Sequence, residues 1–86
     1  MAEMKQVEQW LDKARETIDH AEQVFEDSQR VQVGDPEDYL SAQMQLEEVN
    51  SHLDALVRAA TPEQRDQLIR TQQQLRQIQN HMILRR

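Results

Sequence analysis

The groups in this chain whose types and spacing could do chemistry are carboxylates and imidazoles at helical intervals. Glu16 precedes His20 by four residues, and Glu48 precedes His52 by the same interval. On a helix each pair shares one face. His81 stands apart near the end of the sequence. Such groups can hold a metal ion or pass a proton. Helical-bundle di-metal sites space glutamate and histidine by three and add further inward carboxylates. A spacing of four, with no such additions, matches carboxylate–histidine pairs on exposed helix surfaces.

Other chemistries lack their parts. Acid–base catalysis needs two groups held in a pocket with their pKa values pushed apart. The sixteen carboxylates fall almost entirely off the apolar positions. The single glycine excludes a glycine-rich loop that cradles phosphate. No serine or threonine sits in a nucleophile-elbow context. The absence of cysteine removes a thiol nucleophile, a thiolate zinc site and a disulfide staple. The expectation is a protein that is not an enzyme, with no cofactor, no metal and no small-molecule substrate.

The elements that must position these groups are written in three apolar stripes. Met4, Val7, Leu11, Ala14, Ile18, Ala21 and Phe25 alternate at spacings of three and four. Tyr39, Ala42, Leu46, Val49, Leu53, Leu56 and Ala60 do the same. Leu68, Leu75, Ile78 and Met82 repeat the pattern more weakly, with polar Thr71 interrupting it. This spacing lines one face of a helix with apolar groups. The only glycine and both prolines fall where the stripes stop. Gly34 can close the first helix in a left-handed conformation. Asp35 can cap the second, with Pro36 at its first position and Glu37 and Asp38 facing the positive end of its dipole. Thr61, Pro62 and Gln64 form a capping box for the third. Arg85 and Arg86 stand where a helix C-terminus favours cations. The spacing predicts helices over about 3–32, 36–60 and 62–85.

Connections this short force neighbouring helices antiparallel. The expected fold is all-α: a single domain over 1–86, an antiparallel up-down-up three-helix bundle with coiled-coil-like heptad packing. Counted outward from Gly34, Trp10 falls level with Val57 and with Leu68 or Ile69. His20 and His52 fall at similar levels, and His81 belongs beside residues near 41, so three imidazoles do not converge. Val31, Tyr39, Leu40, Met82 and Ile83 are expected to meet at the other end. Three helices this short leave little room for a pocket.

The formal charge is −6, unevenly spread. Residues 1–33 carry eight acidic and four basic groups, net −4; residues 34–61 carry six acidic groups and Arg58, net −5; residues 62–86 carry two acidic and five basic groups, net +3. Such a chain is repelled by phosphate, so nucleic acid and anionic membranes are excluded as partners. The basic last third can dock on the acidic segments before it. No long apolar run and no signal-like N-terminus exist, and the expected location is the cytoplasm.

A few apolar residues lie off the stripes. Trp10, Val24 and Val31, spaced by seven or a multiple of it, widen the first stripe. Leu40 and Met44 lie beside the second; Ile69 and Ile83 lie beside the third with Arg76 midway, and Leu84 follows. A thin core could bury these at its edges. Left exposed, Leu40, Met44, Ile69, Ile83 and Leu84 form an apolar strip rimmed by Arg76 and glutamines, suited to a protein partner or a second copy of the chain.

Two resemblances bear on function. Ser51-His52-Leu53-Asp54-Ala55-Leu56-Val57 is similar to the Ser-Gln-Glu-Leu-Asp-x-Leu-Ile helix of the small Spo0E-like aspartyl-phosphate phosphatases, with Val57 for isoleucine and His52 in place of the Gln-Glu pair. That resemblance implies Asp54 as a catalytic carboxylate. Ser41-Ala42-Gln43-Met44-Gln45-Leu46-Glu47-Glu48, Glu63-Gln64-Arg65-Asp66-Gln67-Leu68 and Gln74-Leu75-Arg76-Gln77-Ile78-Gln79-Asn80-His81-Met82-Ile83-Leu84 together resemble the YtzC-like family of small uncharacterised proteins from spore-forming Firmicutes. This likeness covers the last two thirds and implies a short cytoplasmic bacterial helical protein. The leading expectation is a non-catalytic interaction module, a small helical adaptor or regulator. The alternatives are a phosphatase using Asp54 and an acidic mimic that occupies a basic partner.

Overall fold

In the computed structural model, residues 3–29 and 36–84 are described. They form α1 (Met4–Ser28), α2 (Pro36–Ala59) and α3 (Pro62–Leu84), each packed on the other two. No strand occurs among the described residues. The chain is an all-α three-helix bundle, as the stripes require.

Each boundary has a local cause. α1 ends at Ser28 rather than near residue 32. The next stripe positions after Phe25 are the polar residues Ser28 and Gln32, so the core stripe of α1 runs out here. The Ser28 hydroxyl also donates to the Phe25 carbonyl at 2.6 Å, a local bond that competes with helix continuation. α2 opens on Pro36 with Glu37 and Asp38 in its first turn. The break before α3 carries the expected capping box. Gln64 N–H donates to Thr61 Oγ1 at 3.3 Å and Thr61 N–H donates to Gln64 Oε1 at 3.0 Å, satisfying two otherwise orphaned donors. Gly34, Asp35, Val31, Arg85 and Arg86, given roles above, lie outside the described residues.

The core is the three stripes brought face to face. Val7, Leu11, Ala14, Ile18 and Ala21 of α1 meet Ala42, Leu46, Val49, Leu53 and Leu56 of α2 and Leu68, Leu75, Ile78 and Met82 of α3. Met4, at the head of the first stripe, is 65% exposed. The weaker third stripe is buried as deeply as the others, since Leu68, Leu75 and Met82 are all fully enclosed. Thr71 is buried too, and its hydroxyl donates to the Gln67 carbonyl at 2.9 Å. A hydroxyl bonded back to its own helix enters the core without an unmet donor.

α3 is tied to α2 by amides and a phenol. Gln72 Nε2 donates to the Asn50 carbonyl at 3.4 Å, and Gln79 Nε2 donates to Glu47 Oε2 at 3.2 Å. Tyr39 donates its hydroxyl to the Met82 carbonyl, one of the last-turn carbonyls that α3 cannot satisfy itself. The ion pairs Arg15–Asp12, Arg58–Asp54 and Arg70–Asp66 each stay within one helix. These exposed pairs contribute little to docking α3 on its acidic neighbours.

The α1–α2 register differs from the count made from Gly34. Trp10 stacks on His52 with ring centroids 4.1 Å apart, five residues nearer the start of α2 than Val57. With α1 ending at Ser28 and α2 starting at Pro36, the midpoint of the break is near residue 32. That shift also separates His20 from His52, whose level on α1 is that of Trp10. Ten residues of helix between them correspond to about 15 Å. At the other end Tyr39 does meet Met82, whereas Leu40 and Ile83 stay exposed at 57% and 59%.

Leu53 is completely enclosed, while Gln73 is exposed on α3. Leu53→Ala should therefore cost about 2–5 kcal/mol as a cavity in a close-packed core, and Gln73→Ala should be nearly neutral. Urea unfolding of both variants checks this. Equal small losses at the two positions would mean that the stripe does not form the core.

Candidate interaction surfaces

The carboxylates and imidazoles singled out in the sequence lie on exposed helix surfaces. Glu16, His20, Glu48, His52 and His81 are exposed. His52 lies nearly parallel to the Trp10 ring, with an interplanar angle of 15°. The His81 ring sits 6.1 Å from Phe25 at 30°. Both imidazoles thus cover half-buried aromatic residues at the rim of the core. Asp54 is exposed and pairs with Arg58 one turn on, at 3.7 Å. Among the described residues, no three histidine or acidic side chains gather to hold a metal ion. No helix among them is long and apolar enough to cross a membrane.

The off-stripe apolar residues divide into two groups. Trp10 and Val24 pack against the core. They flank buried Thr17 at spacing seven, along the side of α1 that faces α2. Met4, Leu40, Met44, Ile69, Ile83 and Leu84 are exposed. Their placement follows from the Glu47–Gln79 bond. On α2, Leu40, Met44, Glu47, Ser51, Asp54 and Arg58 recur at spacings of four and three. On α3, Arg65, Ile69, Gln72, Arg76, Gln79 and Ile83 do likewise. Glu47 and Gln79 are joined, and Gln72 reaches Asn50. The two rows therefore run side by side along the outer α2–α3 seam.

Antiparallel packing sets what meets along that seam. Leu40, Met44 and Ile83 collect at the end marked by the Tyr39–Met82 bond. Arg76, Glu47 and Gln79 form a polar middle. Ile69 lies two heptads from Ile83, about 21 Å along the axis, beside the segment that holds Asp54 and Arg58. Leu84, 80% exposed, is off the row by one residue and sits at the tip of α3. The seam is thus an apolar end patch with a polar extension, not a continuous greasy strip.

Although three short helices were expected to leave little room for a pocket, a partly open cleft of about 590 Å³ lies between α1 and α3. Ile18, Phe25 and Ile78 form its apolar floor, Asp19, Glu22 and Glu26 its α1 rim, and Gln74, Gln77 and His81 its α3 rim. The first stripe contains Ile18 and Phe25, and acidic residues at 19, 22 and 26 run beside it. That flanking acidic row is the signal in the sequence. Its juxtaposition with the glutamine face of α3 requires the packed structure.

These features define a small all-α bundle whose described residues offer two outward surfaces and no gathered reactive groups. The chain belongs to the family described as "Protein of unknown function (DUF2524)", whose model matches residues 1–84. It is 33% identical over 84 residues to "Uncharacterized protein YtzC" of Bacillus subtilis (strain 168), an alignment that spans 98% of this chain and 93% of that protein. The resemblance read from the last two thirds thus extends along nearly the whole chain. No solved structure matches.

Trp10 is the only tryptophan, so its stacking on His52 is directly observable. His52→Ala should uncover one face of the indole and move its emission to longer wavelength while the helical signal in circular dichroism stays unchanged. An unaltered emission spectrum would mean that the two rings do not stack in solution.

Proposed function

We propose that this protein is a non-catalytic interaction module, a small cytoplasmic helical adaptor or regulator that engages a protein partner through the outer α2–α3 seam. One observation carries the reading. Leu40, Met44 and Ile83 are each more than half exposed and sit at one end of the same pair of helices. Leaving three large aliphatic side chains in water gains nothing for the bundle, since burying each is worth roughly 1.5–3 kcal/mol. A partner surface is the physical use for such a patch.

The mode is helix-on-helix. Rows at heptad-like spacing on two neighbouring helices form a shallow groove, into which a third apolar ridge can lie. Arg76, Glu47 and Gln79 supply the polar rim that fixes orientation. The absence of thiols, a phosphate loop and a gathered acid–base pair in the sequence supports the same non-catalytic reading.

A photocrosslinking residue placed at Met44 or Ile83 tests this in cells of the source organism. Both positions should give discrete protein adducts, and adduct formation in lysate should continue when salt is raised before irradiation, because apolar contacts drive the association. The same probe at Glu16, on the outer side of α1, should give none. Absence of adducts at 44 and 83, or an identical pattern at 16, would overturn the proposal.

A further inference from the structure

We infer that the α1–α3 cleft is a second docking site, and that its occupant is a cationic amphipathic segment of a partner protein. The site lies on a different side of the bundle from the α2–α3 seam and stands on separate observations.

The shape comes first. The floor is set by Ile18 and Ile78, which belong to the core, and by half-buried Phe25 with the His81 ring over it. Its volume of about 590 Å³ is in the range of ligand pockets. The cleft is only partly enclosed, so it suits a chain segment lying in it better than a fully engulfed small molecule. An apolar floor between two helices is the receiving half of helix-in-groove recognition.

Charge selects the occupant. Asp19, Glu22 and Glu26 stand at spacings of three and four along one rim, so their carboxylates share a side of α1. The opposite rim contributes Gln74, Gln77 and His81, and no lysine or arginine among the described residues lines the cleft. Among the described residues, the ion pairs Arg15–Asp12, Arg58–Asp54 and Arg70–Asp66 use none of the rim carboxylates. Like charges at these intervals repel one another. A ligand carrying lysine or arginine beside aliphatic groups relieves that repulsion while covering the floor. Phosphate-bearing ligands meet the opposite field. The rim acids form no metal-holding group among the described residues.

A short synthetic Leu/Lys amphipathic helical peptide is the probe, with amide shift mapping and titration on the full chain. Shifts should concentrate on residues 18–26 and 74–81. Glu22→Gln with Glu26→Gln should weaken binding roughly tenfold, and Glu8→Gln with Glu48→Gln, an equal charge change elsewhere, less than about twofold. A Ser/Lys peptide of the same charge should bind at least roughly tenfold more weakly, because it cannot cover the floor. Leu40→Ser with Met44→Ser should leave peptide binding intact, which separates this site from the α2–α3 seam. Equal weakening by both neutralised pairs, equal binding of the Ser/Lys peptide, or shifts spread over all acidic faces would overturn the inference.

Discussion

Everything in this molecule depends on burying three narrow apolar seams against one another. A chain of 86 residues encloses a thin core, and here the enclosed side chains are Leu46, Leu53, Leu68, Leu75 and Met82, with alanines between them at 14, 21 and 42. The alanines let helices approach closely, and the leucines fill the space between. No disulfide assists, since there is no cysteine. Of the polar side chains that enter this core, Thr17 and Thr71 are bonded within their own helices, to Lys13 and Gln67, Gln72 reaches across to the Asn50 carbonyl, and Asn50 Oδ1 is buried with no hydrogen-bond partner among the described residues. The seams therefore close without leaving the two threonine hydroxyls unmet.

Closing the seams determines what remains outside. Each helix has two flanks as well as a core stripe. On the α1–α2 side the flanks are consumed by Trp10, Val24 and His52. On the α2–α3 side they carry Leu40, Met44 and Ile83 with a polar stretch. On the α1–α3 side they leave acids facing glutamines over an apolar floor. One bundle thereby presents two chemically different surfaces. The first is aliphatic and insensitive to salt; the second is negative and salt-dependent. The two proposals together describe a small protein that holds two partners, or one partner in a fixed orientation, without any moving part.

Much of this was legible in the sequence, for identifiable reasons. The stripe at 42, 46, 49, 53 and 56 reads directly as a buried face because helical periodicity and apolar spacing coincide. Thr61 and Gln64 announce a helix start because the capping box is a local arrangement. Register was not legible. Gly34 suggested a hairpin centred on it, but the helix stops where its stripe runs out, at Ser28, and Trp10 meets His52 in consequence. The exposed residues Leu40, Met44, Ile69, Arg76, Ile83 and Leu84 could be named as off-stripe. Which of them share a patch depends on the antiparallel register. The cleft was illegible because the segments that build it together, 18–26 and 74–81, lie far apart in sequence.

The most direct test of the account is native-state hydrogen exchange, residue by residue. If the three seams form one core, amides near Ala14 in α1, Leu53 in α2 and Leu75 in α3 should open with a single shared free energy equal to that of global unfolding. Exchange of α3 through a separate, lower-energy opening, with α1 and α2 still protected, would contradict a single interlocked core and with it both surfaces built on α3.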